Sequence, residues 1–145
     1  TGARRIVDPT FFVARDRAYH RGAKTKKLFS PELNLTLGQR YLETLIRDPA
    51  IQDDLFFIAA AWNGGPGNLA KWWRKADHQG DPLLFIESIP LRETRIFVER
   101  VMANLWIYRH RMGQDSPSLT QLAAGEWPVY NPQDNKLELA TNVQN

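Results

Sequence analysis

The chain has 145 residues, 43% of them hydrophobic and 24% charged, with a formal net charge of +3 and no cysteine. That length and apolar content suit a single domain with its own core, and 11% aromatic residues are more than a solvated coil carries. A disulfide scaffold, a thiol nucleophile and a cysteine-ligated metal site are excluded, and no apolar run reaches the roughly 20 residues of a membrane-spanning helix.

Arg4, Arg5 and Asp8 interrupt the apolar centre a signal peptide needs. The chain does not start with methionine, so an upstream part is expected to have been removed. Asp8-Pro9 sets a capping side chain before a residue whose fixed φ suits a first helical turn, which predicts a helix through Phe11, Phe12 and Ala18 to Gly22. Residues 24–27 read as a solvated basic connector. Ser30-Pro31-Glu32 repeats the start signal, with an acid placed to complement the helix dipole. Beyond it, Gly38, Tyr41, Leu42, Leu45 and Ile46 make one apolar face, and Asp48-Pro49 ends that helix.

The next helix is predicted over 53–62, where Ala59, Ala60 and Ala61 permit close helix packing. Gly64-Gly65-Pro66-Gly67 then forces a turn. A short helix through Leu69, Trp72 and Trp73 leads to a polar loop over 77–81, and residues 86–90 read as loop-like. Pro90 opens the longest helix, 91–111, with Phe97, Val101, Leu105 and Tyr108 on one stripe extended by Val98, Met102 and Trp106. Gly113 closes it, and Ser116-Pro117 starts a last short helix ending at Gly125. The expectation is an all-α domain over 1–130, followed by a polar tail over 131–145.

His20, His78 and His110 fall on separate elements without ligand spacing, so they read as surface imidazoles, and neither a metal nor a cofactor is expected. The glycine turn is no phosphate loop, because the Lys and Ser or Thr that would follow are absent and Pro66 lacks an N–H. Lys71-Trp72-Trp73-Arg74-Lys75 interleaves basic and aromatic residues as single-strand nucleic-acid grooves do. On a helix, however, residues two apart do not share a face, which predicts Trp72 inward and the charges in water. The segment 59–69 allows two readings. Asn63 is either a left-handed cap closing an apolar helix, or an amide offering donor and acceptor to a cleft in which Trp62 meets a sugar ring and the glycines admit a bulky ligand.

Three segments in order tip that balance: Pro31-Glu32-Leu33-Asn34, Ala61-Trp62-Asn63-Gly64-Gly65-Pro66-Gly67, and Glu87-Ser88-Ile89-Pro90 with Glu93-Thr94-Arg95. Together they resemble the soluble lytic transglycosylases of bacterial cell-wall turnover, a goose-lysozyme-like family, over residues 28–113. The resemblance implies a lysozyme-like helical fold and a peptidoglycan glycan strand as partner, not nucleic acid. It also implies a periplasmic or cell-envelope location, and non-hydrolytic cleavage of the MurNAc–GlcNAc bond to 1,6-anhydro ends. In that family one glutamic acid protonates the leaving oxygen and then, as carboxylate, helps the sugar's own 6-hydroxyl attack.

Two departures from the family pattern matter. The family's catalytic glutamate sits in a Glu-Ser pair upstream of a Gly-Leu-Met-Gln segment. Here Thr1-Gly2-Ala3-Arg4 resembles the lead-in to that second segment, Arg5-Ile6-Val7-Asp8 follows in place of its core, and no glutamate precedes Glu32. Trp62 also stands where the family has tyrosine, keeping the aromatic face and losing the phenol. Among the acids present, Glu32 is explained by the helix dipole, Glu93 (with the basic Arg95) by pairing or capping at the opening of the long helix, and Asp8 by capping. The substrate-binding residues are therefore expected to be Trp62, Asn63 and Glu87, with no catalytic residue assigned and turnover by this chain alone not expected. Two further readings are a non-catalytic peptidoglycan-binding module and, suggested by the basic balance and the 71–75 cluster, a helical nucleic-acid binder.

Overall fold

A computed structural model describes residues 30–131, and six helices follow one another there: α1 Pro31–Ile46, α2 Leu55–Gly64, α3 Pro66–Lys75, α4 Pro82–Ser88, α5 Arg92–Arg111 and α6 Pro117–Ala123. The helix expected from Pro9, the connector at 24–27 and His20 lie outside the described residues, as does all but the first residue of the predicted tail. Four of the six helices start on proline, which already lacks the N–H that a helix start leaves unpaired. The all-α expectation holds: among the described residues there is no β-strand, only an isolated antiparallel bridge between Asp54 and Val129.

The core forms around α2, which is apolar on every side and buries Leu55, Phe56, Ile58, Ala59, Ala60, Ala61 and Asn63. It packs against α1, α3 and α5. Ala60 and Ala61 are fully buried, and their small side chains let neighbouring helices approach closely. Its start lies two residues later than predicted, because Asp54 and not Asp53 is the cap, accepting from the Phe57 N–H at 2.8 Å. The Leu55 N–H donates to the Pro128 carbonyl at 2.8 Å and the Tyr130 N–H to the Asp53 carbonyl at 2.7 Å, so residues 127–130 are tied to this end of α2.

At the other end α2 runs on through Gly64, and Gly65 alone (φ 84°) separates it from α3. The expected four-residue turn is thus a single-residue break. Gly64 has to be glycine for a packing reason, since a Cβ there would lie 2.3 Å from the Trp72 ring. Trp72 is buried while Lys71, Arg74 and Lys75 are exposed, as the helical spacing predicts. A basic stripe with alternating free rings is therefore not what α3 presents.

The loop-like reading of 86–90 is corrected. Residues up to Ser88 belong to α4, whose cap Asp81 accepts from the Leu83 and Leu84 N–H groups at 2.7 and 3.0 Å. Seven residues are too few to display a helical period, but Asp81-Pro82 is the same start signal read at Asp8-Pro9. On α5, Val98 and Met102 are buried and Phe97, Val101, Leu105 and Trp106 pack beside them. Tyr108, expected on that stripe, is 59% exposed, and Leu42 of α1 likewise lies off its helix's buried side at 38%. The Trp106 indole donates to Ser118 Oγ at 3.0 Å, fastening α6 to α5. Among the described residues no helix is long and apolar enough to cross a membrane.

Candidate functional site

The last turn of α2 carries Trp62 and Asn63 into contact with two other helices. Trp62 is partly buried against α1, its ring 5.2 Å from that of Tyr41 at an interplanar angle of 37°. Gly38 lies against the same indole, and a Cβ there would stand 3.4 Å from it. Burial between these groups pushes the Tyr41 phenol above its ordinary pKa.

Asn63 is 3% exposed, and its side-chain carbonyl accepts a hydrogen bond from the Thr94 hydroxyl at 2.6 Å. Thr94, on the first turn of α5, is fully buried. A buried carbonyl deprived of its donor costs about 1–3 kcal/mol, so this contact fixes the Asn63 rotamer. The expectation that Asn63 turns both amide groups toward a cleft is corrected on this point: its acceptor is engaged inside the protein. The glycine expectation changes too. The space beside Gly64 is filled by Trp72, whereas Gly65 and Gly67 border open space.

Arg95, the residue after Thr94, donates to the backbone carbonyl of Ile89, the C-cap of α4. Its role is structural, as expected, but it serves the end of α4 and not the start of α5, satisfying a carbonyl that a helix end leaves unpaired. Glu87 is exposed on the last turn of α4 and is therefore helical rather than in a loop. Its segment is linked to Asn63 through Ile89, Arg95 and Thr94. Glu93 is exposed in the first turn of α5 and Glu32 in the first turn of α1, both at the dipole's positive end. All six glutamates among the described residues, Glu32, Glu43, Glu87, Glu93, Glu99 and Glu126, are exposed.

Thr94 is the site residue that the sequence reading passed over. Its signal was a small hydroxyl side chain between two charged ones at a helix start, at a position where the long-helix stripe faces the core. His78 is not a free surface imidazole: it stacks on Trp73 at 4.1 Å and accepts from the Gly80 N–H through Nδ1. Among the described residues no group of three or more His, Cys, Asp or Glu side chains is placed to hold a metal ion.

Residues 6–85, more than half of the chain, match the family described as the transglycosylase SLT domain. The match stops short of Glu87 and Thr94. The chain is 37% identical over 101 residues, 70% of its length, to the soluble lytic murein transglycosylase of Escherichia coli (strain K12). It is 35% identical over 101 residues to the soluble lytic murein transglycosylase of Salmonella typhimurium (strain LT2), again 70% of its length. The matched region makes up 15% of each of these relatives, so the chain corresponds to a small part of them. No solved structure matches the chain.

Proposed function

This chain belongs to the transglycosylase SLT domain family, and on that premise we propose that it is a peptidoglycan lytic transglycosylase domain of the cell envelope whose 145 residues grip the glycan strand without cleaving it. The reaction of such a domain is non-hydrolytic. A glutamic acid protonates the oxygen leaving the MurNAc C1, the sugar's 6-hydroxyl forms the new bond to C1, and its proton returns to the carboxylate, giving a 1,6-anhydro end. Trp62 supplies a sugar-stacking face, Asn63 its amide NH₂, and Glu87 an acceptor for a sugar hydroxyl or a peptide N–H.

The buried Asn63–Thr94 hydrogen bond is the observation that carries this reading. It joins, across 31 residues of sequence, the two segments that resemble the family's groove. The Trp62 contact with Gly38 and Tyr41 brings the third segment's helix to the same corner. Binding without turnover is supported by the acids. The described glutamates all sit in water, whereas a general acid needs partly apolar surroundings to hold its proton near neutral pH.

The test is incubation of the 145-residue chain with purified peptidoglycan, followed by mass spectrometry of the soluble fraction and sedimentation of bound protein. The expected result is co-sedimentation with no anhydro-sugar fragments. Anhydro products would place a working acid within this chain, and failure to co-sediment would remove the proposed partner.

A further inference from the structure

The opposite end of α2 borders a hollow of about 470 Å³, lined by Ile51, Asp53, Asp54, Phe57, Trp73 and Trp127 among others. That volume is within the range of small-ligand sites. Asn63 lies eight positions beyond Leu55, a rise of about 12 Å along the helix, so this hollow is distinct from the Trp62–Asn63 corner. Its walls combine three features.

The first is aromatic. Phe57, Trp73 and Trp127 meet edge to face, with centroids 5.0, 5.4 and 5.6 Å apart and interplanar angles of 71°, 69° and 75°. His78 stacks on Trp73 and holds that ring in place, yet Trp73 keeps 38% of its surface exposed. The second feature is charge. Among the described residues Asp53 and Asp54 are the only charged side chains lining the hollow, and no basic residue lines it with them. Among the described residues neither carboxylate takes part in an ion pair.

The third feature concerns the helix start, where free N–H groups would favour an anion. They are already engaged: Leu55 N–H with the Pro128 carbonyl, Phe57 N–H with the Asp54 carboxylate and Ile58 N–H with the Asp54 carbonyl, while the Phe56 N–H acts on the same carboxylate. The hollow therefore offers acceptors and π-faces to a ligand, and the backbone donors that an anion would use are spent. A cation satisfies both the rings and the carboxylates.

We propose that this hollow binds an organic ammonium group, the amine at the end of a lysine-like side chain in a peptide, with its aliphatic stem over Trp73 and Trp127 and its charge toward Asp53 and Asp54. The site stands independently of the glycan reading.

The experiment is an NMR titration of the indole N–H signals of the full chain with Nα-acetyl-lysine methylamide. The Nε-acetylated analogue and N-acetylglucosamine serve as controls. The lysine amide is expected to shift the Trp73 and Trp127 signals saturably, with the two controls leaving them in place. Asp53→Asn, at an exposed position, is expected to weaken the binding about tenfold, and Asp54→Asn to do so while keeping the helix cap. Equal shifts from the acetylated analogue would overturn the proposal by showing that charge plays no part. Shifts from N-acetylglucosamine alone would make the hollow a sugar site, and no shift with about 50 mM lysine amide would mean that it takes no ammonium group at all.

Discussion

At its C-terminal end α2 closes on a buried hydrogen bond between Asn63 and Thr94, while its N-terminal end opens onto a hollow walled by Asp53, Asp54 and Trp127. One end satisfies its polar groups from inside the protein and presents a rigid corner. The other satisfies its backbone but leaves carboxylates and ring faces toward solvent. Substitutions at the first end are therefore expected to cost stability together with glycan binding, and substitutions at the second to change ammonium binding or pH dependence with little loss of stability.

The sharpest way to break that contrast is Gly64→Ala. The added methyl would fall 2.3 Å from the Trp72 ring, in a helix that cannot shift without disturbing the core. A loss of about 3 kcal/mol is expected in chemical denaturation, and a loss near zero would show that α3 is loosely held. Thr94→Val keeps the volume and removes the donor to Asn63, at an expected cost of about 2 kcal/mol. Combined with Asn63→Leu in a double-mutant cycle, it should give a clearly non-zero coupling; additive losses would mean that the two side chains do not depend on one another.

At the open end, burial raises the Asp54 carboxyl from 3.8 to about 6, against the opposing effect of hydrogen bonds from the Phe57 and Phe56 N–H groups. The folded state thus binds a proton that the unfolded state has released between these values. Stability should fall as pH rises from about 4 to 6 and level off above that. Asp54→Asn keeps an effective cap and should flatten that slope. Near pH 7 it should gain on the order of 1 kcal/mol, less than the full shift implies because the carboxyl is partly open to solvent. A pH profile identical to that of the unmodified chain would mean that Asp54 is not desolvated. The smallest stability effect is expected for the exposed Glu87→Gln, within about 0.5 kcal/mol. It should nonetheless lower muropeptide affinity in calorimetry, and the reverse pattern would make Glu87 structural.

Much of this architecture could be read from local signals. Pro31, Pro66 and Pro117, the Asp48-Pro49 stop and the glycine break marked helix ends, and the α5 periodicity located Val98 and Met102 in the core. The misses have a common cause. The α4 helix is too short to show a period, although its Asp81-Pro82 start was visible. Tyr108 matched the spacing of the stripe, but spacing does not reveal where the neighbouring helices stop. The candidate site was read in part: Trp62 and Asn63 were singled out by their residue types before a glycine turn, together with the resemblance of the three segments to the family. Thr94 as the partner of Asn63, and Trp127 beside Asp54, depend on contacts across long stretches of sequence that no local pattern encodes.

The most direct test of the central claim is calorimetric titration of a GlcNAc–MurNAc oligosaccharide into the chain and into Asn63→Ala, both shown to be folded by circular dichroism at the temperature used. Saturable binding to the unmodified chain is expected, with an affinity about tenfold lower for the variant. Equal affinity for both would reduce Asn63 to a packing residue and contradict the assignment of this corner as the glycan grip.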